Sequence, residues 1–203
     1  MSWKKVNKKE WIEKAKQNQW IIPKARFGLF PAQANGDEVI FYESESRDKE
    51  LGRFNFDLCV GKGRKDKFSI GQYFHSVESG QIDAIGLQIT TAGAGVEEGI
   101  KSLKEQNESE SSLYLQGLSD RVAEDMAEYI HQLLRTRAGY KKENRGQRYS
   151  PGYPALTNLK GNHIIWNALG AEDLGVTLTA ANEFFPPSTT AAVICFHKDA
   201  GYN

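Results

Sequence analysis

An α+β fold is predicted, and two features of the chain carry the prediction. Short apolar or alternating segments, bounded by Gly, Pro and Asn, are scattered through the first ninety or so residues and again near the end. Between them, from Val96 to about Arg137, apolar residues recur at helical spacing instead. Several short strands beside one helical block, with no internal repeat and no low-complexity tract, fit an α+β domain. With 203 residues, 39% hydrophobic and 11% aromatic, the chain is long and apolar enough to bury a real core.

Each element follows from local chemistry. Residues 8–18 read as a short helix ending near Trp20 and before Pro23, which cannot continue it. Arg26–Phe30 is an apolar run that stops at Pro31 and reads as a short strand. Asn35-Gly36-Asp37 is a turn signal and Glu38–Glu43 a second strand, so the two form a hairpin. Phe54, Phe56, Leu58 and Val60 alternate with Asn55, Asp57 and Cys59, the pattern of a half-buried strand. GKGRKDK, residues 61–67, is a basic loop without the order of a P-loop. Ile82–Thr90 reads as a buried strand, and Thr91–Gly95 as a turn whose GAG is too short for a dinucleotide loop.

The helical block shows Leu115, Leu118, Val122, Met126, Tyr129, Ile130, Leu133 and Leu134 at three- and four-residue steps. Ser109–Ser112 is expected to split it into two helices, and Gly139 to end the second. Residues 140–156 carry Gly and Pro breaks and cannot stay regular for long. Leu159–Leu169 reads as a helix, and Val176–Thr179 and Ala191–Phe196 as strands.

Composition excludes several functions. Lys+Arg and Asp+Glu number 26 each, so the net charge is zero, which argues against a nucleic-acid binder. No apolar run approaches the roughly 20 residues that span a bilayer, and the basic start has no apolar segment behind it like that of an export signal. Cys59 and Cys195 form no CxxC; in a cytoplasmic protein they are expected to remain reduced and buried. The zero is a cancellation. Residues 1–26 hold eight basic and two acidic side chains, a net +6, and residues 97–128 hold three basic and nine acidic, a net −6. Such runs are either solvated faces or docking surfaces for other domains.

Candidate chemistry is sparse. Glu124, Glu128 and His131 lie at i, i+4 and i+7 on the polar side of one helix. Glu128-x-x-His131 has the spacing of di-iron bundles, but the second copy such a site needs is missing, so metal is not expected. No GxSxG elbow is present, and Cys195 with His197, two apart on a strand, reads as packing. The informative stretch is Arg148-Tyr149-Ser150-Pro151-Gly152-Tyr153-Pro154. Two prolines stiffen it, Gly152 permits close approach to the backbone, and Arg148 offers a planar fork suited to a carboxylate or phosphate. Tyr153 adds a flat face with a hydroxyl. A Pro-rich structural turn accounts for the same residues equally well.

RYSPGYPA resembles RPxPGYPA, a signature of the activation domain of cobalamin-dependent methionine synthase. Four further segments resemble that family in order: Gly28–Ala32 its GLFPA, Ser79–Gly86 its SGxxDYIG, Asp120–His131 its DRLAEAxAEYxH helix, and Gly175–Thr179 with Pro186 its GxxLTExxAMxP block. The resemblance runs from about residue 8 to 203. It implies a C-shaped α+β domain around a bent antiparallel sheet, following a basic segment over residues 1–26. It implies binding of S-adenosylmethionine and its presentation to cob(II)alamin, carried by a partner domain, while a flavodoxin-like reductase supplies one electron. Residue by residue it implies that Arg148 binds the ligand carboxylate and that Ser150 and Gly152 offer main-chain contacts. Tyr153 is implied beside the ligand, Glu124 on a polar or cationic group, and Tyr202 closing on the site. Glu128 and His131 match helix positions to which the resemblance gives no clear ligand role.

Three departures stand out. Leu156 replaces a cysteine, Ala180 the LTE glutamate and Ala191 the serine of an ASVSG segment. The sequence also begins downstream of the family's DWxPFF segment, whose aspartate helps bind the ligand's amino group. A fragment, or a separate protein whose partner supplies that residue, is expected. A docking module that keeps the fold without the ligand, and a helix-based metal protein, are the competing readings.

Overall fold

A computed structural model describes residues 8–60, 66–140 and 145–201. In chain order the elements are α1 (Lys8–Gln17), β1 (Lys24–Asn35), β2 (Glu38–Tyr42), β3 (Glu50–Asn55), β4 (Cys59–Val60), β5 (Lys67–Phe68) and β6 (Asp83–Thr91). There follow α2 (Gly95–Glu105), α3 (Ser109–Arg137), β7 (Gln147–Tyr149), α4 (Lys160–Leu169), β8 (Thr177–Leu178), β9 (Phe184–Phe185) and β10 (Thr189–Cys195).

The apolar run of β6 puts it near the middle of a six-stranded sheet of order β3-β2-β1-β6-β10-β7, antiparallel at every pairing. Strand periodicity then sorts residues to two faces. Ile85, Leu87 and Ile89 face the main core, with Phe41, Phe54, Tyr149, Val193 and Ile165 of α4. The other face carries Phe27, Leu29 and Ile194, which meet Ile130, Leu134 and Met126 of α3. Thr90 fastens α3 down from that face by donating its hydroxyl to the Ala123 carbonyl at 3.0 Å. α1 lies against the helical pair, with Trp11 on Tyr114 at 4.9 Å between ring centroids and Lys14 3.8 Å from Glu108. The basic and acidic runs therefore meet inside this chain.

Three boundaries differ from expectation. β1 does not stop at Pro31 but runs to Asn35; its pairing with β2 starts only at Ala32, so the proline sits where one strand edge has no β2 partner. The strand expected over 54–60 breaks after Asn55: Phe54 and Phe56 are buried, but Leu58 and Val60 are exposed. The break lies at Asp57, whose N–H donates to the Ala155 carbonyl and whose carboxylate turns to Thr157. The helices part at Gln106–Glu108 rather than at the serines, with Asn107 at φ 61°, a conformation Asn tolerates. Gly139, at φ 92°, ends α3 as expected.

Candidate functional site

β7 is three residues long and pairs with β10 only at Val193–Cys195. β10 starts at Thr189, so Thr189–Ala192 runs beyond the end of β7. After Tyr149 the chain turns away through Ser150-Pro151-Gly152-Tyr153. Gly152 has φ 92°, which a side chain would resist, and its N–H donates to the Leu156 carbonyl at 2.8 Å. Leu156 donates back to Tyr153 at 2.8 Å, and Tyr153 to Ser150 at 3.2 Å. The loop is thus a closed turn. Its far end is tied to the β3–β4 connection: the N–H and hydroxyl of Thr157 donate to Asp57 at 2.8 and 2.7 Å, and these bonds hold the Asp57 carboxyl below the usual range.

Between this turn and the free stretch of β10 lies a two-lobed cleft. One lobe, of about 310 Å³, is lined by Glu124, Gln147, Arg148, Ser150, Tyr153 and Thr190. The other, of about 440 Å³, shares Glu124, Ser150, Tyr153 and Thr190, and adds an apolar wall from Pro151, Leu159, Phe184 and Pro187 together with polar Asn162 and Glu183. The rim before β10 is tied to α3, where the Ser188 hydroxyl donates to Asp120 at 2.8 Å. Both walls are therefore held from outside the cleft, so the opening is a built feature of the fold.

Charge at the first lobe is arranged around Arg148. Strand pairing sets Arg148 opposite Ile194, on the face covered by α3. Its Nη2 lies 3.5 Å from a Glu124 oxygen and 3.8 Å from a Glu128 oxygen, and its side chain is 23% exposed. Both distances exceed a charge-assisted hydrogen bond, so the guanidinium is flanked by carboxylates but not locked to either. One turn further along α3, His131 is buried. Burial, assisted by Arg135, pushes its pKa down to about 4, against the opposing pull of Glu128. At neutral pH the imidazole is uncharged, so its 3.8 Å approach to Glu128 is a dipole contact and not an ion pair.

The cleft gathers Glu124 of α3 and Arg148, Ser150 and Tyr153 of the β7 strand and turn, two separate places in the sequence. Gly152 lies in the turn behind them with its N–H already bonded, which leaves its carbonyl for any ligand contact. Tyr202 lies outside the described residues, as do 61–65 of the basic loop. Of the three departures, Ala191 lines the cleft, while Leu156 is buried beneath the turn and Ala180 lies outside both linings. Thr190, Gln147, Asn162, Glu183 and Phe184 were not anticipated. Thr190 follows from the mismatch in length between β7 and β10, and nothing local marks the others. Cys59 and Cys195 carry free thiols, and burial pushes that of Cys195 up to about 12. Among the described residues no cluster of His, Cys, Asp and Glu is placed to hold a metal ion, and no helix is long and apolar enough to cross a membrane.

Fold and site together define a class: an α+β domain that carries a charged, two-lobed cleft at the open edge of an antiparallel sheet. Residues 6–203 match the family described as the activation domain of vitamin B12 dependent methionine synthase, and the chain belongs to that family. It is 24% identical over 200 residues to the methionine synthase of Mycobacterium tuberculosis, a match covering 87% of this chain and 16% of that protein. A crystal structure of the MetH reactivation domain bound to AdoHcy superposes with a TM-score of 0.87 at 24% identity, covering 96% of this chain and 65% of that one. The chain thus spans less than a sixth or so of its full-length relative.

Proposed function

We propose that the domain binds S-adenosylmethionine in the two-lobed cleft and presents its methyl group to a cobalamin carried by a partner domain or protein, so returning methionine synthase to its active cycle. The observation that carries this reading is the convergence of a guanidinium and a carboxylate on one cleft. Arg148 offers a fork for the α-carboxylate of the methionyl end, and Glu124, which lines both lobes, offers a negative charge for an ammonium or sulfonium. The apolar wall of Leu159, Phe184 and Pro187 suits a purine face. Each end of the ligand thereby has a chemically matched partner, and the combined size of the lobes falls within the range of small-molecule sites.

The chain's contribution is placement. Methyl transfer needs an in-line approach, so the ligand must be held at both ends with its methyl group turned outward. Tyr153, exposed where it lines both lobes, offers a flat surface on which a corrin could rest. The cobalamin of the partner supplies the reduced metal centre that accepts the methyl group, and the electron comes from a flavodoxin-like reductase. Free thiols at Cys59 and Cys195 suit a cytoplasmic setting.

Calorimetric titration with S-adenosylmethionine, alone and with the cobalamin-binding partner, tests the reading. Binding is expected, and it should be lost in Arg148→Ala and Glu124→Ala. No heat in either setting rejects ligand binding and leaves a docking module.

A further inference from the structure

Along α3, Glu124, Glu128, His131 and Arg135 sit at i, i+4, i+7 and i+11, so they form one stripe down a single side of the helix. The stripe runs from the cleft inward. Glu124 and Glu128 are about half exposed at their side chains, and that of His131 only 6%. Arg148 reaches across from β7 to its outer end. The two carboxylates flank the same Nη2 atom but differ in what else they face: Glu124 lines both lobes of the cleft, and Glu128 lines neither.

The donor inventory orders the rest of the stripe. Arginine can only donate, so the Arg135 Nη2 contact at 3.4 Å makes His131 Nε2 the acceptor. The proton of a neutral His131 then lies on Nδ1, the nitrogen that faces Glu128. Glu128 thus has the protonated Nδ1 side of His131 3.8 Å behind it and the Arg148 guanidinium 3.8 Å in front.

We propose that Glu128, backed by His131, is the positioning residue of the site: it holds the Arg148 fork at the cleft while Glu124 leaves Arg148 for the ligand. This rests on the reading of the cleft given above, and it assigns roles to the two helix residues that have none there. The reason for two carboxylates is a division of labour. A single glutamate would have to choose between steadying the arginine and binding the cationic end of the ligand. With two, one stays and one moves. Without Glu128, Glu124 is the remaining carboxylate beside Arg148, and pairing with it closes the pocket against both ends of the ligand.

The test compares S-adenosylmethionine with its decarboxylated analogue, which lacks the group that Arg148 is assigned to bind. Wild type should prefer the carboxylated ligand, and Arg148→Ala should erase the preference. Glu128→Gln should reduce the preference about threefold to fivefold, the span of a partly exposed ion pair, while leaving the thermal midpoint nearly unchanged. His131→Leu should reduce it in the same sense, and His131→Asn, which keeps a donor near the Nδ1 position, should restore it. A separate readout needs no ligand: nitrogen-15 spectra at neutral pH should show His131 protonated at Nδ1 and bare at Nε2.

If Glu128→Gln binds both ligands as wild type does, or prefers the carboxylated one more strongly, Glu128 is a competitor or a bystander and the proposal fails. Equal weakening toward both ligands shows a structural role and also overturns it. The opposite tautomer removes His131 from it. Failure of wild type to bind either ligand, or to prefer the carboxylated one, instead overturns the cleft reading, and this inference falls with it.

Discussion

Replacing Arg148 with lysine keeps the charge and removes the fork. The geometry says what this costs. The guanidinium sits 3.5 and 3.8 Å from two carboxylates and is mostly withdrawn from solvent, so an incoming carboxylate must share it with at least one of them. A planar group with five donors can give two parallel N–H bonds to the ligand and still present an edge to Glu128. An ammonium is a point charge on a flexible stem and must serve one partner at the expense of the other. Loss of a charge-assisted contact of this kind costs about 1.5–3 kcal/mol. That corresponds to a complex weaker by roughly one to two orders of magnitude. Arg148→Lys should therefore lie close to Arg148→Ala and far from wild type when S-adenosylmethionine is titrated calorimetrically. Repeating the titration at low and high salt separates the effects, because general attraction between exposed charges is screened beyond about 10 Å at 0.1 M while a direct contact is much less affected. Equal affinity of wild type and Arg148→Lys would refute the reasoning, since charge alone would then suffice.

Two further outcomes follow from packing and protonation. A Cβ on Gly161, at the start of α4, would lie 2.8 Å from Pro151, so Gly161→Val should push the cleft turn outward, cost about 1–3 kcal/mol of stability and weaken ligand binding; unchanged urea unfolding contradicts the assigned packing. His131 is buried neutral with a pKa near 4, whereas in the unfolded chain the ordinary value is 6.5, so the unfolded state binds the extra proton between these limits. Its contribution to stability is present above pH 6.5 and lost as pH falls toward 4, on the order of 2 kcal/mol between pH 7 and pH 5. Denaturant unfolding of His131→Phe should lack that part of the slope, and identical slopes would show that His131 is not held neutral.

Local pattern was a good guide wherever one face of an element is buried. The stripe from Leu115 to Leu134 places α3, and Ile85, Leu87 and Ile89 place β6. It misled where a side chain has a distant partner. Asp57 continues the alternation of Phe54 and Phe56 on paper, yet a hundred residues away Thr157 offers it two donors, and the strand gives way. Pro31 looks like a stop because its neighbours cannot reveal which edge of β1 is paired. At the site, Glu124 and Arg148 were legible as residues through their motifs. Their 3.5 Å approach was not, because it depends on Ile194 lying between β6 and β7. Glu183 and Phe184 reach the cleft from a segment whose position is set by tertiary packing, and no local chemistry distinguishes them.

The mismatch between β7 and β10 also bears on solubility. A strand that outruns its neighbour leaves amide and carbonyl groups that another molecule's strand can pair with, a common start for aggregation. Here Pro151 and Pro187 stand on either side of that stretch, and the flank carries Arg148 and Glu124. An extended chain would meet prolines, which cannot donate to a ladder, and charges it could not cover. The open stretch of β10 is in this way barred to a second copy of the fold's own kind of strand.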